Sequence, residues 1–380
     1  MALRGIRVVE MAGLAPAPFC GMILSDFGAK VIRVDRPNAP HVDQLARGKQ
    51  SIVVNLKKAE GAKVVERICR SADVLLEPYR PGVMEKLGLG PDTLLEENPR
   101  LIYARLSGFG QSGPLASSAG HDINYIAISG LLSLLGRKGE RPYPPINLLA
   151  DFAGGGLLCA LGIVMSLLER QTSGRGQVVD ANMVHGSAYL GSWMWKSRDL
   201  PGVWQGDRGE NLLDGGAAFY DVYETQDGKY MSVGALEPQF FQGLLQGLNL
   251  DPTQISQMND QTELRRRFQE IFKMRTKSEW TEIFSKLDAC VQPVLELDEA
   301  PHHPHNWFSN NFIQDKDTGT PEPAPAPRLS RTPGVAEVLP QPLPGQDTVT
   351  VLKESGLDKD EVSRLLKEGV VMENKEKSKL

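Results

Sequence analysis

The sequence predicts an α/β protein with a large, mostly parallel sheet and a second, smaller α+β domain. Strand-like and helix-like segments alternate through the first half of the chain, which is typical of a helix-covered parallel sheet. After about residue 190 the pattern changes to a hairpin that is followed by three helical segments. A chain of 380 residues is long enough for two such domains.

The strands of the large domain are predicted from short β-rich segments. Helix-like segments lie between them, for example one that ends at Gly28 and one at 61–70. A long apolar segment at 154–170 predicts a buried helix, because its apolar part is shorter than the roughly 20 residues that a membrane span needs. The β-rich segments are IRVVEM, KVIRVD (30–35), SIVVNL (51–56), DVLLE (73–77), RLIYARL (100–106) and GQVVDANM (176–183).

The smaller domain begins with a predicted hairpin at 218–236, and its helical segments follow at 238–248, 261–273 and 277–287. Residues 318–345 are so rich in proline that they exclude a helix or the interior of a sheet, which predicts an extended connector. The predicted boundaries are a large domain at 1–190, a linker at 191–217, a small domain at 218–317, the connector at 318–345 and a C-terminal segment at 346–380.

Composition and charge argue against several classes of protein. The net charge of −5 and the pI of about 5.8 are unlike those of a nucleic-acid-binding protein. The first residues lack the apolar core of a signal peptide. The four cysteines show no metal-ligand spacing and predict free thiols in a reducing compartment: Cys20, Cys69, Cys159 and Cys290.

The last three residues match a peroxisomal import signal. Ser378, Lys379 and Leu380 form a C-terminal S-K-L, which the peroxisomal import receptor reads as an address. The segment before them is polar, as suits a signal that must be exposed. The alternative is a chance match on a charged tail. We expect the protein in the peroxisome, an organelle that handles acyl-CoA esters.

Residues 108–113 read GFGQSG, which is formally the glycine pattern of a dinucleotide-binding turn. That fingerprint requires a helix to begin at the turn, so that the helix N-terminus meets the pyrophosphate. Here Pro114 and further loop residues follow, and the first strand–helix turn lacks the pattern as well. The sequence therefore argues against a nicotinamide or flavin site.

Arg36 is the best candidate for a phosphate contact. It follows the second β-rich segment, at the sheet edge where α/β folds bind ligands. A guanidinium at this edge can hold the 3′-phosphate of the CoA ribose by a bidentate contact. The remaining cations near the same edge are interpreted mostly as scattered surface charge: Arg47, Lys49, Lys57, Lys58, Arg80 and Arg105.

Several titratable residues stand beside apolar segments or glycines. His121 and Asp122 precede an apolar segment, where burying such a pair is costly unless other groups satisfy it. Asp151 lies before the triple glycine 154–156, and Glu237 ends a β-rich segment. Each has a structural alternative, either as a satisfied core histidine or as a helix N-cap. The glycines would let a ligand or a backbone segment come close to Asp151.

These residues lie in motifs that resemble the class III CoA-transferase family over essentially the whole chain. The opening segment and SGFGQSGP are typical of the family, whereas the His-Asp pair at 121–122 is specific to its racemase branch. Besides the peroxisomal tail, the resemblance rests on VVEMAGLAPAPFCGMILSDFGAKVIRVDRP, RLIYARLSGFGQSGP, GHDINYIAISG, NLLADFAGGG, GQVVDANM and LDGGAAFY.

The resemblance implies an interlocked homodimer with active sites between the subunits. Each chain would have a Rossmann-like large domain, which takes in the C-terminal segment, and a small domain. His121 and Asp151 resemble the family's acid/base pair, and Asp122 and Glu237 its supporting carboxylates. The positions that match CoA contacts are Arg36, Val54, Asn55, Leu56, Lys57, Gly120, His121, Asp122, Ile123, Asn124 and Tyr125.

The implied activity is the interconversion of (2R)- and (2S)-2-methylacyl-CoA thioesters. One group removes the α-proton and another returns a proton on the opposite face, and a histidine and a carboxylate of raised pKa suit both directions. The enolate oxygen needs donors, for which we expect backbone N–H groups near Asp151 and the glycines. The reaction needs no cofactor: no metal, pyridoxal phosphate or flavin.

Two alternatives stay open at this point. A CoA-transferase would use Asp151 as a nucleophile and has no need of a histidine base. A non-catalytic acyl-CoA-binding protein would need Arg36 but no titratable pair. Branched fatty acids, bile-acid intermediates and 2-arylpropanoyl groups all fit as acyl chains, and a mitochondrial pool beside the peroxisomal one stays open too. We expect no nucleic-acid partner and no membrane span.

Overall fold

The computed structural model describes residues 1–38, 43–204, 206–316 and 318–374. The chain divides into two compact units. The first comprises Met1–Ser129, Pro145–Leu190 and Trp307–Leu380, and the second comprises Gly130–Pro144 and Gly191–Asn306. The predicted division differs in three places, because residues 130–144 and the predicted linker 191–217 belong to the second unit, and residues 307–317 belong to the first.

Hydrogen bonds explain why residues 130–144 belong to the second unit. The Arg208 guanidinium donates to the carbonyl oxygens of Ser133 and Glu140. Arg137 forms an ion pair with Asp221 at 2.9 Å. The sequence around 130–144 carries no signal of these long-range partners, so a division based on the pattern of local segments placed it in the large domain.

The first unit contains a seven-stranded sheet in the order β12-β3-β2-β1-β4-β5-β6. All neighbouring strands are parallel except β12, which pairs antiparallel with β3. The order 3-2-1-4-5-6 is that of a doubly wound fold, which binds ligands outside the carboxyl ends of its strands. The strands are β1 (Arg7–Met11), β2 (Lys30–Asp35), β3 (Gln50–Val54), β4 (Val74–Glu77), β5 (Ile102–Ser107), β6 (Val178–Asn182) and β12 (Val371–Met372). The predicted parallel sheet is thereby confirmed.

Fourteen α-helices lie within the described residues, and several begin at a recognisable signal. Pro16 opens α1, where its missing N–H costs nothing. Thr276 and Glu279 form a capping box at α11, and the Asp260 side chain caps α10. The helices are α1 (Pro16–Asp26), α2 (Ala59–Cys69), α3 (Val83–Lys86), α4 (Pro91–Glu97), α5 (Asp122–Ile128), α6 (Leu158–Ser173), α7 (Met183–Leu190), α8 (Ser192–Ser197), α9 (Pro238–Gly247), α10 (Gln261–Phe272), α11 (Lys277–Phe284), α12 (Pro304–Phe308), α13 (Thr348–Glu354) and α14 (Lys359–Lys367).

The long apolar segment is a helix, but the prediction that it is buried holds for one face only. A π-helical stretch at Leu148–Leu157 leads directly into α6. Taken together, Leu148–Ser173 is long and apolar enough, by length and composition alone, to cross a membrane. The protein itself buries 39% of the most apolar window of this segment. The exposed large apolar side chains are Leu148, Leu157, Leu161, Val164, Met165 and Leu168.

The second unit contains the predicted hairpin, here β7 (Tyr220–Glu224) and β8 (Tyr230–Gly234), with β9 (Val291–Pro293) as a third antiparallel strand. Its core is aromatic. Tyr223 stacks on Phe272 with the ring centroids 5.0 Å apart, and Trp280 lies 5.2 Å from the same ring. This core comes mainly from helices α9–α11 and the small sheet, with loop residues such as Phe219 and Ile255, so the unit has its own hydrophobic cluster.

The C-terminal segment completes the first unit. Strand β12 pairs with β3, and the Asp347 carboxylate accepts the backbone N–H of Ser51 at 2.9 Å. The proline-rich residues 318–345 are irregular except for β11 (Pro321–Pro323), which pairs with β10 (Phe312–Gln314) in a two-stranded ladder. Such a ladder tolerates proline because both of its strands are edges.

Candidate active site

Residues from three strands meet at the carboxyl edge of the large sheet. Arg36 follows β2, Tyr79 follows β4 and Gly108 follows β5. Burial raises the pKa of Tyr79, and the nearby Arg36 guanidinium opposes that shift. Arg36 is exposed, and within the described residues its side chain makes no hydrogen bond or ion pair. Among the described residues, this edge therefore presents Arg36 as a cation without a carboxylate partner.

Three of the cations that the sequence suggested were surface charges are buried ion pairs, so that interpretation was wrong for them. Lys49 donates to both carboxylate oxygens of Glu10 at 2.8 and 3.0 Å, and neither side chain is exposed. Burial raises the pKa of Glu10 to about 7. Arg47 and Arg105 are likewise buried and paired with carboxylates. Lys57, Lys58 and Arg80 are exposed, as expected.

The residues at the end of β3 and directly after it offer fewer side-chain contacts to CoA than the resemblance implies. Val54 is fully buried in the core of the first unit. The backbone N–H of Asn55 donates to the carbonyl of Val370 at 2.8 Å, and its side-chain oxygen accepts the N–H of Lys57. Leu56 is half-buried, whereas Lys57 is exposed. Lys57 is thus the freest side chain of the four.

His121 is the N-cap residue of α5, and its backbone is firmly held. Its N–H donates to the side-chain oxygen of Asn124 at 3.0 Å, and its carbonyl accepts the N–H of Asn124 at 2.8 Å. His121, Ile123 and Asn124 are exposed, whereas Asp122 and Tyr125 are buried. The helix therefore begins directly after His121, whose imidazole is exposed and whose backbone N–H and carbonyl are both hydrogen-bonded.

Asp122 joins the start of α5 to the π-helical stretch. One of its carboxylate oxygens accepts the backbone N–H groups of Ala150 and Asp151, at 2.7 and 2.8 Å. The other oxygen is buried and has no hydrogen-bond partner within the described residues. Asp122 thus holds the main chain at Ala150 and Asp151 in place through these two hydrogen bonds.

Asp151 is half-buried in the first turn of the π-helical stretch. Burial is the main cause that raises the pKa of its carboxyl, and the neighbouring Asp122 carboxylate raises it further. The side-chain amide of Asn147 donates to Asp151 at 3.2 Å and, with the charge of His121, opposes the shift. The influence of His121 and Asp122 on this carboxyl indicates that the three titratable residues form one electrostatic cluster.

Asn147 is a member of this cluster that the sequence reasoning missed. It precedes Asp151 by four residues, a spacing that brings side chains together on a helix and would have identified it. The residue before it, Ile146, has φ +57°, a conformation that a β-branched residue rarely adopts. Strained backbone of this kind tends to occur at functional sites.

The triple glycine serves close packing of helices, which resolves the alternative left open above. A Cβ on Gly154 would lie 2.7 Å from the backbone nitrogen of Ser187. A Cβ on Gly156 would lie 2.7 Å from the carbonyl oxygen of Pro16. Of the backbone N–H groups expected near Asp151 to bind the enolate oxygen, that of Asp151 itself already donates to Asp122.

Glu237 lies in the second unit, at the N-cap position of α9. It is exposed, and its side chain makes no capping hydrogen bond. The structural alternative, a helix cap, therefore does not account for this carboxylate.

Two further observations concern cofactors and targeting. Within residues 1–38, 43–204, 206–316 and 318–374, no group of three or more histidine, cysteine, aspartate or glutamate side chains is placed to hold a metal ion. The four cysteines are free thiols, three of them buried. Ser378, Lys379 and Leu380 lie outside the described residues.

Comparisons with known proteins agree with the motifs. The family described as CoA-transferase family III matches residues 3–348. Alpha-methylacyl-CoA racemase of Mus musculus is 55% identical and that of Homo sapiens 53% identical, each over 100% of both chains. The crystal structure of a CAIB/BAIF family protein from Brucella suis matches with a TM-score of 0.81 at 22% identity, covering 93% of this chain and 99% of that chain, and so shows the same fold. The chain therefore belongs to CoA-transferase family III.

Proposed function

We propose that this protein is a racemase that interconverts (2R)- and (2S)-2-methylacyl-CoA thioesters. The observation that carries the proposal is an Asp151 carboxyl whose pKa is raised by burial and which lies within the electrostatic influence of His121, in a chain that matches two mammalian racemases over its full length. A racemase needs two groups that exchange protons with the same carbon from opposite faces. An imidazole and a buried carboxyl are suited to that task near neutral pH.

In the proposed reaction one of the two groups removes the α-proton, and the electron pair of the C–H bond passes to the thioester oxygen. The other group returns a proton to the opposite face, and the roles exchange in the reverse direction. The raised pKa of Asp151 helps it to act as the acid, because it holds a proton at higher pH than an exposed aspartate does. The thioester acidifies the α-proton, so the reaction uses no cofactor.

The enolate oxygen needs hydrogen-bond donors other than the Asp151 N–H. The first N–H groups of a helix have no partner within the helix. The N–H groups of Asp122 and Ile123, at the start of α5, have no hydrogen-bond acceptor within the described residues and lie next to His121. We assign the stabilisation of the enolate to them.

The CoA moiety is proposed to lie along the carboxyl edge of the sheet. Arg36 is exposed there and unpaired among the described residues, and it would contact the 3′-phosphate of the ribose. Exposed Lys57 lies at the end of the neighbouring strand and would add a second positive charge. Both charges complement the phosphates of CoA.

A homodimer is supported by the exposed apolar face of α6. Leu161, Met165 and Leu168 are 45%, 57% and 73% exposed, a continuous stripe that a water-exposed helix does not normally carry. A second copy of this chain would cover the stripe. A dimer would explain why α6 is apolar on its exposed face as well as on the face that is buried in the first unit.

We propose that the protein acts in peroxisomes, on the acyl-CoA intermediates of branched-chain fatty acid and bile-acid side-chain oxidation. The support is the C-terminal Ser378, Lys379 and Leu380, which the import receptor would bind. Removal of the last two residues should leave activity in extracts unchanged and the protein in the cytosol. A mitochondrial pool would be detected by fractionation of the same cells.

The activity is tested by proton NMR of a single enantiomer of a 2-methylacyl-CoA in D₂O, with no acceptor acid present. A racemase replaces the α-proton by deuterium and produces the second enantiomer. A CoA-transferase with Asp151 as nucleophile, or a non-catalytic binding protein, produces neither change. Addition of a free carboxylic acid to the same sample would then reveal CoA transfer, if that were the true activity.

A further inference from the structure

The turn that resembles a dinucleotide fingerprint, GFGQSG at 108–113, has a different task in the structure. It is a loop with no helix after it, and Gly108 follows β5 directly. The backbone N–H of Val184 donates to the Gly108 carbonyl at 3.1 Å, which fixes the turn to α7. The turn therefore continues the sheet edge and is hydrogen-bonded to α7.

The ring of Tyr125 fills the space that these glycines leave. A Cβ on Gly108 would lie 2.2 Å from the ring, and a Cβ on Gly120 would lie 2.7 Å from it. Phe109 contacts the same ring edge-to-face, with the centroids 5.0 Å apart. Glycine is required at both positions because any side chain would overlap the tyrosine.

The tyrosine hydroxyl acts on the residue that precedes His121. It donates to the carbonyl oxygen of Gly120 at 2.5 Å. The N–H of the same peptide unit, which belongs to His121, donates to the side chain of Asn124 at 3.0 Å. Both polar groups of the Gly120–His121 peptide are thus bonded to the first turn of α5. That peptide plane sets the direction in which the His121 side chain leaves the backbone.

Resting on the proposed racemase activity, we propose that Tyr125 is a positioning residue for His121, held in its slot by Gly108, Phe109 and Gly120. The rigid sheet edge orients the ring, the hydroxyl orients the Gly120–His121 peptide, and the peptide orients the imidazole. A phenol is protonated and able to donate at neutral pH, and burial with the nearby Asp151 and Asp122 carboxylates moves the pKa of Tyr125 still higher. Proton transfer is sensitive to displacements of this kind, since a shift of about 1 Å can cost on the order of 100-fold in rate.

The test measures deuterium exchange from each enantiomer separately. His121→Ala identifies the enantiomer whose exchange depends on the imidazole. Tyr125→Phe keeps the ring and removes one hydroxyl, and should slow that exchange by roughly 10- to 100-fold while the exchange through Asp151 changes less than about twofold. The ratio of the two rates is the readout, because a loss of folded protein lowers both rates equally.

Tyr103→Phe is the matched control. Its hydroxyl also donates to a backbone carbonyl, that of Leu89 at 2.7 Å, but from the core of the first unit. This variant should leave the ratio of the two exchange rates at the wild-type value. Asn124→Ala removes the other bond to the same peptide and should change the ratio in the same direction as Tyr125→Phe, which provides a second variant if the first does not fold.

An unchanged ratio in Tyr125→Phe and in Asn124→Ala would overturn the inference. So would an equal rise of KM for both enantiomers at unchanged relative kcat, since that result assigns Tyr125 to CoA contact. If the wild-type protein exchanges neither enantiomer, the proposed racemase activity fails instead, and the two failures are distinguished by the wild-type measurement alone.

Discussion

Asp122 and Asp151 are neighbouring carboxylates with different partners. Asp122 accepts two backbone N–H groups on one oxygen, so its position is set by the main chain. Asp151 accepts one side-chain amide, that of Asn147, and its pKa is raised by burial and by the negative charge of Asp122. The same cluster therefore holds one carboxylate in place and leaves the other suited to exchange protons.

If His121 and Asp151 serve opposite faces of the substrate, each substitution should abolish proton exchange from a different enantiomer. His121→Ala would still exchange the α-proton of one configuration without inverting it, and Asp151→Asn would show the mirror result. Both variants would have almost no racemase activity. Deuterium incorporation followed by NMR for each enantiomer measures this, and a proportional loss from both enantiomers in His121→Ala would mean that the histidine only orients Asp151.

Asn147→Ala should move the pH dependence of one direction of the reaction. The amide stabilises the ionised form of Asp151, so its removal raises the pKa of that carboxyl further. A carboxylate that acts as base must be ionised, and the acidic limb of kcat/KM for the enantiomer deprotonated by Asp151 should therefore move to higher pH. The limb for the other enantiomer is the control, and equal displacement of both limbs would contradict the assignment.

Arg36→Ala should weaken the binding of CoA esters by about 1–3 kcal/mol, the range for loss of a charge-assisted contact. The loss should be much smaller for esters of dephospho-CoA, which lack the 3′-phosphate. Isothermal titration with both ligands measures the difference. An equal loss on both ligands would show that Arg36 does not contact that phosphate.

At the scale of elements, the π-helical stretch and α6 depend on the three glycines. They allow the backbone of this segment to approach α1 and α7, with Gly156 facing Pro16 and Gly154 facing Ser187. Asp151 lies one turn before them, so the packing that holds the helix also places the carboxyl. The rest of α6 contacts β5 and β6 of the sheet and carries the exposed apolar face described above.

Gly156→Ala should destabilise the fold by about 1–3 kcal/mol, the usual cost of overpacking. The added Cβ would lie 2.7 Å from the Pro16 carbonyl and 2.9 Å from the Phe19 ring, and backbone at this position has little freedom to move. Gly162→Ala in α6 is the matched control, because its Cβ would meet only the Val179 side chain at 3.0 Å. The control should be less destabilising than Gly156→Ala, since only a valine methyl has to move and alanine favours helix. Urea unfolding measures both, and equal destabilisation would contradict this account.

At the scale of the whole molecule, the first unit is assembled from three separate parts of the chain. Residues 145–190 and the segment after Trp307 join the N-terminal 129 residues. Strand β12 extends the sheet at β3, and Lys30 forms an ion pair with Glu354. The fold of the first unit therefore requires a chain that returns after the second unit is complete.

Leu161→Asp combined with Leu168→Asp should convert the proposed dimer to a monomer. Both side chains lie on the exposed face of α6, and burying two carboxylates against an apolar partner is costly. Sedimentation velocity measures the mass, and racemase activity should fall with the dimer because the sites are expected between subunits. Met258→Asp, at a side chain that is 91% exposed in the second unit, is the control and should stay dimeric. A double variant that sediments like the wild type would exclude this face as the interface.

Much of the fold could be read from the sequence, and the sequence also nominated the candidate site residues. Alternating β-rich and helical segments predicted the parallel sheet, since strands buried on both faces are mostly apolar along their length. The motif around His121 and Asp151 determined the family, because motifs of this length rarely recur by chance. The sequence also predicted that no helix begins directly after the GFGQSG turn, and the structure has loop there until α5 begins at Asp122.

Only the tertiary structure decided which polar groups meet. It placed Lys49 and Arg105 in buried ion pairs, bound the Asp151 N–H to Asp122, and packed the triple glycine against α1 and α7. It also assigned residues 130–144 to the second unit and exposed one face of α6. Local sequence records the periodicity of burial along one element, whereas these outcomes depend on partners far along the chain, whose proximity arises only when the elements pack together.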